Sequence, residues 1–343
     1  MAVRVGINGF GRIGRSFYRA LLDRGDKAGV ELVAVNDPFG DSATMAFLLK
    51  HDSVGGTLEN EVKATEDGFS VDGHDVKKLD VKEPAEIPWR DHGVEVVIES
   101  TGLFTAREKA AAHLEGGAKR VIISAPSGDA DATICMGVND DVFDPGAHTV
   151  VSNASCTTNC LAPLVKVLHD RFEIDRGLIT TVHAYTSDQQ LQDLATPSRS
   201  GKPDLRRMRA AALSIVPNTT GAARAIGLVL PELKGRLDGM SLRVPTPTGS
   251  ITDLVANVSK TASVDDVNAA FAEAANDAGF RGVLEYSDEP LVSADIVGNP
   301  ASCIFSAVDT MVNGNTIKVL GWYDNEWGFS NRLIDLIEHV GTK

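Results

Sequence analysis

A glycine-rich turn between a β-rich run and a helical run is the feature of this sequence that most constrains its fold. Residues 3–7 precede the turn, glycines occupy positions 9, 11 and 14, and a helical pattern follows over residues 16–22. In a strand–turn–helix unit, Gly9 permits the tight turn, Gly11 lets a pyrophosphate approach the backbone, and Gly14 lets the helix pack on the strand. The spacing therefore predicts a dinucleotide-binding Rossmann domain.

An acidic residue at the end of the next β-rich run predicts which dinucleotide binds. The run over residues 30–36 ends at Asp37, about 20 residues beyond the turn, where the fingerprint requires an acid. A carboxylate there can bind both hydroxyls of the adenine ribose and would repel a 2′-phosphate, which predicts NAD rather than NADP. The alternative is a turn aspartate before Pro38, and the upstream glycine motif favours the cofactor role.

Cys156 is the candidate nucleophile. It lies between an apolar run over residues 149–151 and a stretch with helical apolar spacing over 161–168, which places it at a strand-to-helix turn. Free backbone N–H groups and the helix dipole at such a turn favour a thiolate. Ser155 and Thr157 flank it and could hold an anion. These small polar neighbours favour a nucleophile over the alternative, an inert buried cysteine.

The length and charge of the chain limit the classes of protein to which it can belong. A chain of 343 residues is longer than one core usually supports, so we expect two domains. The net charge of −14 predicts no nucleic-acid partner, and no apolar run approaches membrane-spanning length. The four cysteines show no metal-site spacing and no disulfide framework. The absence of a signal-like start favours a cytoplasmic protein.

The order of predicted elements indicates an α/β fold with two different domains. Alternating strands and helices predict a parallel, doubly wound sheet in the first 150 residues, with strands at 94–100, 120–124 and 149–152, helices at 41–49 and 106–114, and short antiparallel strands within 55–79. Beyond residue 178 the pattern predicts an α+β domain on a large, mixed, mainly antiparallel sheet, with strands at 178–185, 240–244, 250–258 and 304–308 and helices at 264–275 and 333–340.

Six motifs in order along the chain carry a resemblance to a known family. They are NGFGRIGR at 8–15, ASCTTNC at 154–160, TVHAYT at 181–186, TTGAA at 219–223, RVPTP at 243–247 and WYDNEWG at 322–328. The chain resembles the phosphorylating glyceraldehyde-3-phosphate dehydrogenases over its whole length. The resemblance implies a Rossmann NAD-binding domain over residues 1–154, a catalytic domain over 155–322, and a C-terminal helix over about 323–343 that packs back on the first domain.

The resemblance also implies a covalent mechanism. Cys156 would attack the aldehyde of glyceraldehyde 3-phosphate to form a hemithioacetal, and His183 would raise the thiolate fraction and act as general base. Oxidation by NAD would leave a thioester on Cys156, and inorganic phosphate would release 1,3-bisphosphoglycerate, a step of glycolysis. A histidine in an apolar strand is more often a core residue, but its pairing with the cysteine motif favours catalysis.

Further site residues are implied by the same resemblance. The substrate phosphate and the attacking phosphate would be held by Ser155, Cys156, Thr157, Thr186, Arg206, Thr220, Gly221 and Arg243, whose hydroxyls, N–H groups and guanidinium forks suit phosphate. The cofactor would be held by Gly9, Gly11, Arg12, Ile13, Gly14, Asp37, Lys82, Ser124 and Asn325. The alternative for Arg206 is a solvated face shared with Arg207 and Arg209.

Two alternative functions, two alternatives for the assembly and two departures from the family pattern stay open at this point. An erythrose-4-phosphate dehydrogenase would use the same chemistry with hydrolysis, and a noncatalytic NAD-binding scaffold could use Cys156 as a redox switch. We predict a homotetramer with residues 187–209 at the subunit contacts, where the alternatives are a dimer or a mobile surface loop. The segment 194–203 is longer than the family usually has, and Phe329 replaces a usual tyrosine.

Overall fold

The computed structural model describes residues 2–195 and 203–341, which divide into two compact units. The first unit contains the described residues up to Ser155 and from Ser330 onward, and the second contains those between Cys156 and Phe329. Among the described residues, no helix is long and apolar enough to cross a membrane. The same part of the chain contains no group of three or more His, Cys, Asp or Glu side chains that could hold a metal ion.

The first unit is built on a nine-stranded sheet with helices α1 (Arg12–Arg24), α2 (Ser42–Lys50) and α3 (Arg107–Glu115). The strands of this unit are β1 Val3–Asn8, β2 Val30–Asn36, β3 His51–Asp52, β4 Gly56–Thr57, β5 Val62–Thr65, β6 Gly68–Val71, β7 His74–Leu79, β8 Val96–Glu99, β9 Arg120–Ile123, β10 Ala132–Thr133 and β11 Val150–Ser152. The sheet order is β10-β11-β9-β8-β1-β2-β7-β6-β5, while β3 and β4 pair separately. The strands from β10 to β7 are parallel, which confirms the predicted Rossmann fold.

The antiparallel edge of this sheet forms as the turn residues predict. Strand β7 pairs with β6, and β6 with β5, both antiparallel. The connection from β6 to β7 is the two-residue turn Asp72-Gly73, and both residues have positive φ angles of 50° and 86°. Such a turn matches the right-handed twist of the flanking strands, so the Asp-Gly pair fixes the hairpin register.

A buried polar network ties the strand ends together beneath the glycine turn. The carboxyl group of Glu99 accepts hydrogen bonds from Asn8 Nδ2 at 2.6 Å and from the Thr101 N–H at 2.8 Å. His113 Nε2 lies 3.1 Å from the same carboxyl group, and the Trp89 indole N–H donates to His113 Nδ1 at 3.1 Å. This arrangement leaves the Nε2 proton of His113 to donate to Glu99. The network joins β1, β8 and α3 at the edge where parallel sheets bind their ligands.

The second unit is built on a seven-stranded sheet. Its elements are α4 Cys156–Phe172, β12 Ile174–Ala184, β13 Val216–Thr219, α5 Ala222–Val229, β14 Leu237–Val244, β15 Ser250–Val258, α6 Val264–Ala275, β16 Leu284–Ser287, β17 Cys303–Asn313, β18 Thr316–Tyr323 and the start of α7 Trp327–Gly341. The sheet order is β13-β14-β12-β15-β18-β17-β16, and only the pairs β12–β14 and β16–β17 are parallel. The predicted mixed, mainly antiparallel sheet is confirmed.

Alternation along β12 separates the two faces of this sheet. Ile179, Thr181 and His183 are buried, on the face against which α4 packs. Their neighbours Leu178 and Thr180 point to the other face, where Leu178 is 67% exposed. The histidine therefore lies on the covered side of the sheet, and the apolar Leu178 lies on the open side.

Several predicted elements begin earlier than the apolar pattern suggests, among them β12 and α7. Strand β12 starts at Ile174, whereas the sequence predicts a start at residue 178. Residues 174–178 alternate less clearly between apolar and polar, so the pattern does not indicate this part of the strand. Helix α7 starts at Trp327 rather than at residue 333. Its first turn is capped by Asp324, whose Oδ1 accepts hydrogen bonds from the N–H groups of Glu326 and Trp327 at 2.9 and 2.8 Å. A side-chain cap of this kind lengthens a helix beyond its apolar stripe.

Candidate active site

Cys156 is the first residue of helix α4, directly after the turn that follows β11. Ala154, in that turn, has φ of +55°, a left-handed conformation that costs a residue with a Cβ about 1 kcal/mol or more. Ser152 fixes the turn, because its Oγ donates to the Ala125 carbonyl at 2.7 Å and accepts the Ala154 N–H at 3.0 Å. The predicted strand-to-helix position of Cys156 is therefore observed.

His183 is the nearest basic group to the cysteine. Its Nε2 lies 3.4 Å from Cys156 Sγ, and the imidazole is 4% exposed near the end of β12. Its Nδ1 lies 2.7 Å from the Ala184 carbonyl oxygen, so we assign the ring proton to Nδ1 as the donor of that hydrogen bond. Nε2 then carries a lone pair that can accept the thiol proton.

Arg243 lies beside the histidine because β12 and β14 pair in parallel. His183 and Arg243 are direct partners in that register. The Nη1 group of Arg243 donates to the Ala184 carbonyl at 3.1 Å and to Thr186 Oγ1 at 2.8 Å. It also lies 3.2 Å from His183 Nδ1. The guanidinium therefore places a positive charge next to the base and also next to a hydroxyl of the predicted anion site.

The electrostatics of the pair oppose one expectation from the sequence. Desolvation raises the pKa of the Cys156 thiol to about 11, although Arg243 and the Thr157 N–H lower it. Burial and the Arg243 charge lower the pKa of His183 to about 3. Desolvation therefore acts against the thiolate that the helix terminus and His183 are predicted to favour, and both pKa shifts favour a thiol beside a neutral imidazole.

The predicted phosphate ligands fall into two groups. The first group contains Thr186, whose hydroxyl accepts a hydrogen bond from the Arg243 Nη1 group that lies beside His183. Arg206 is exposed and donates to the Pro217 carbonyl at 3.1 Å, and the Thr220 hydroxyl accepts the Ala222 N–H at 3.2 Å. No hydrogen bond between described residues joins Arg206 or Thr220 to the His183 group. Gly221 is exposed and precedes α5, and a Cβ there would meet nothing within 4 Å, so this helix terminus is open to an anion.

Two neighbours of the site were missed by the sequence reasoning. Asp188 hydrogen-bonds the Thr186 hydroxyl and forms an ion pair with Arg207. Burial raises its pKa, but the Thr186 hydroxyl and Arg207 together lower it below its ordinary value. Tyr323 OH lies 2.9 Å from Thr157 Oγ1 and 2.7 Å from the Thr181 hydroxyl. The hydroxyl of Thr157 is thus engaged within the protein, and its backbone N–H at the start of α4 is the group suited to an anion.

Asn325 is the predicted cofactor residue of the second unit. It is 3% exposed and lies in the turn between β18 and α7. Its Oδ1 accepts a hydrogen bond from Ser250 Oγ at 2.9 Å. The amide can therefore offer its N–H groups to an acceptor on a ligand.

The glycine turn of the first unit has the geometry that a dinucleotide requires. Gly9 has φ of +93°, and a Cβ on it would lie 2.8 Å from the Thr101 nitrogen. A Cβ on Gly14 would lie 2.6 Å from the Gly9 carbonyl oxygen, so glycine alone permits this packing of helix on turn. At Gly11, which precedes α1, a Cβ would meet no atom within 4 Å. The backbone there is open to a pyrophosphate, and the residues present fit NAD.

The other predicted cofactor residues lie around the same strand ends. Asp37 follows β2, and its carboxyl oxygens accept the N–H groups of Phe10 and Phe39, each at 2.9 Å. The remaining members lie close in sequence to the ends of β7 and β9 or in the first turn of α1. They are Arg12, which pairs with Asp52, the half-buried Ile13, the exposed Lys82, and Ser124, whose hydroxyl donates to the Glu99 carbonyl at 3.1 Å.

Comparison with known proteins gives matches over both units. The family model described as glyceraldehyde 3-phosphate dehydrogenase, NAD binding domain, matches residues 3–107, and the C-terminal domain model matches residues 155–325. A protein named glyceraldehyde-3-phosphate dehydrogenase from Streptomyces coelicolor is 57% identical over 100% of both chains. Proteins of the same name from Mycobacterium leprae and Mycobacterium avium are 58% and 59% identical over 99% of each chain.

Proposed function

The chain belongs to the glyceraldehyde-3-phosphate dehydrogenase family, and we propose that Cys156 and His183 carry out the chemistry of its reaction. The reaction is the NAD-dependent oxidation of D-glyceraldehyde 3-phosphate with inorganic phosphate to 1,3-bisphosphoglycerate, a step of glycolysis. The observation that carries the proposal is the distance of 3.4 Å between Cys156 Sγ and a His183 Nε2 whose lone pair is free.

The first step forms a bond between the cysteine sulfur and the aldehyde carbon. His183 Nε2 takes the thiol proton as Cys156 Sγ attacks, and it returns that proton to the former aldehyde oxygen, which gives a hemithioacetal. Because Arg243 disfavours the positive imidazolium, the ring gives its proton back readily. In this order of proton transfers, the thiolate nucleophile forms during the attack.

Oxidation and phosphorolysis use the same two side chains. When bound, NAD provides the ring that accepts the hydride. His183 Nε2 takes the hemithioacetal hydroxyl proton in that step, and the acyl group remains on Cys156 as a thioester. A phosphate oxygen then attacks the carbonyl carbon, the C–S bond breaks, and Sγ recovers its proton from His183. The guanidinium of Arg243, which also contacts the Thr186 hydroxyl, is suited to hold phosphate oxygens beside this carbon.

The proposed function is tested by varying inorganic phosphate in an assay with glyceraldehyde 3-phosphate and NAD. We expect turnover that rises with phosphate and saturates, with an acyl phosphate product that hydroxylamine traps. Without phosphate, NADH formation should stop after about one equivalent per site, since the thioester accumulates. Equal turnover without phosphate, with the free acid as product, would contradict the phosphorolytic function.

Cofactor choice is expected to depend on Asp37. The variant Asp37→Ala should weaken NAD binding and improve relative use of NADP, because the carboxylate repels a 2′-phosphate and binds the ribose hydroxyls. These two effects together are worth about 2–4 kcal/mol. The measurement is the ratio of kcat/KM for NAD to that for NADP. Asp41→Asn, which changes the cap of α2 a few residues on, is the matched control and should keep the ratio. A wild-type protein that used both cofactors equally would show that Asp37 is wrongly assigned.

We further propose that the protein is a homotetramer. The predicted contact segment is 187–209, of which residues 196–202 lie outside the described part of the chain. The open face of the second sheet also supports assembly. Leu178 and Val255 are direct partners across β12 and β15, and Met240 lies on the same face of β14. These side chains are 67%, 37% and 40% exposed, an apolar group that a partner could cover.

Light scattering is expected to give four times the chain mass of 36.4 kDa. Leu178→Glu should lower that mass, since a charge would then have to be buried at the contact. Val264→Glu, at an exposed apolar position on α6, is the control and should leave the mass unchanged. A monomeric wild type with full activity would contradict the assembly.

The division into domains and the cellular location complete the proposal. We assign NAD binding to residues 1–154 and catalysis to residues 155–322, with the C-terminal helix on the first domain. The ion pair of Arg24 with Asp335 at 2.5 Å supports the last point. All four cysteines are free thiols, which supports a reducing cytoplasmic location.

A further inference from the structure

The amide of Asn325 is hydrogen-bonded at its oxygen end only. Oδ1 accepts the Ser250 hydroxyl at 2.9 Å, and the Thr248 hydroxyl lies 3.4 Å from it. Among the described residues, Nδ2 has no hydrogen-bond partner, although Asn325 is 3% exposed. An N–H donor that has no protein partner is open to an acceptor, and a ligand oxygen can take that place.

Ser250 determines which end of the amide is left without a partner. The serine is fully buried, and its Oγ accepts the backbone N–H of Ala184 at 3.0 Å. The Ser250 hydroxyl then donates its own proton to Asn325 Oδ1. If the amide turned over, Nδ2 would face Ser250 Oγ, and the serine proton would lose that acceptor. Thr248 does not replace it, because its hydroxyl donates to Asp324 Oδ1 at 3.0 Å.

We propose that Ser250 is a positioning residue that holds the Asn325 amide with its nitrogen toward the carbonyl oxygen of the nicotinamide carboxamide. The inference rests on the proposed function, in which Asn325 contacts that group. Ala184, whose N–H is bound by the same hydroxyl, directly follows His183 in β12. One serine therefore fixes both the cofactor-binding amide and the strand end that carries the base.

The chemistry of this arrangement predicts selectivity for one part of the cofactor. Two N–H groups on Nδ2 select an acceptor oxygen, and the carboxamide has one. An NAD analogue in which hydrogen replaces the carboxamide has no acceptor at that position. Loss of the Ser250 hydroxyl should therefore affect the binding of NAD and leave the binding of the analogue unchanged. A hydroxyl with a merely structural role would affect both ligands alike.

The experiment measures the Kd of NAD and of this analogue by calorimetry. For Ser250→Ala we expect the Kd of NAD to rise about tenfold, the effect of one buried hydrogen bond, and that of the analogue to stay within about twofold. Ser250→Cys, with a similar size and a weaker donor, should fall between Ser250→Ala and the wild type. Ser241→Ala is the matched control, because this buried hydroxyl lies in the same sheet and has no hydrogen-bond partner among the described residues. It should change neither Kd.

A second set of variants tests the positioning role of Ser250 separately from the proposed contact between Asn325 and the nicotinamide. Asn325→Ala should remove the preference for NAD over the analogue, and adding Ser250→Ala to it should change that preference no further. Equal weakening of both ligands by Ser250→Ala, or no weakening of either, would overturn the positioning role alone. If Asn325→Ala kept the full preference for NAD, the proposed nicotinamide contact would fail, and the inference would fail with it.

Discussion

The variant Cys156→Ser is expected to lose oxidation of glyceraldehyde 3-phosphate by at least about 10⁴-fold while it still binds NAD. A serine hydroxyl has a far higher pKa than a thiol, so its deprotonation by His183 during attack is much less favourable, and an oxygen ester would be a poorer acyl donor to phosphate than a thioester. The measurement is single-turnover NADH formation, with calorimetry to check that the Kd for NAD stays within about twofold. Near-native turnover would rule out the covalent mechanism.

Cys160→Ala is the matched control for this variant. Cys160 lies one turn further along α4, is fully buried, and its thiol donates to the Gly321 carbonyl at 3.4 Å. Its removal leaves a small cavity, which should cost about 1 kcal/mol of stability and change the rate of oxidation by only a few-fold. A loss as large as that of Cys156→Ser would mean that the pair of cysteines, and not Cys156 alone, performs the reaction.

The second large effect is expected for His183→Asn. This variant removes the lone pair that lies 3.4 Å from Cys156 Sγ, so both the attack and the later oxidation lose their proton acceptor. We expect a fall of about 10²–10⁴-fold in the single-turnover rate, the usual contribution of a general base. Alkylation of Cys156 by iodoacetamide at neutral pH should slow as well, because the thiol must ionise without help.

The control for this prediction is another histidine of the second unit. His169 Nδ1 accepts the Ile174 N–H at 3.1 Å, and the residue lies in the last turn of α4, at the end remote from Cys156. His169→Asn should keep the single-turnover rate within about twofold. If both histidine variants lost activity equally, the effect would reflect loosening of α4, and the base would have to be another group.

The sequence predicts the fold well because its strongest signals are local. The glycine spacing and Asp37 lie within one strand–helix–strand unit, and the Asp37 carboxyl group contacts the backbone of the glycine turn directly. Strand β15 and helix α6 have the predicted bounds, because alternation and capping define them without help from distant residues. The starts of β12 and α7 cannot be predicted from the apolar pattern alone. Pairing with β15 extends β12, and the Asp324 cap extends α7.

The candidate site could be predicted only in part, because its geometry joins distant segments. Each motif can be recognised by itself, but the approach of Cys156 to His183 depends on how α4 lies on the sheet. The desolvation that raises the pKa of the Cys156 thiol follows from the same packing, so the local sequence does not predict it. Asp188 and Ser250 lie in none of the six motifs, and the motif that contains Tyr323 does not predict its partners, so only their contacts reveal these residues.

The parallel register of β12 and β14 has a consequence for how such an enzyme can change during evolution. His183 and Arg243 face each other because the two strands pair residue for residue, and the 52 residues between Ala184 and Leu237 take no part in that alignment. Insertions or deletions in the intervening loops leave the alignment intact, whereas one residue added inside either strand would turn the base or the guanidinium to the opposite face. The loops between the two strands can therefore diversify in length, while the strands themselves tolerate substitution but no change of length.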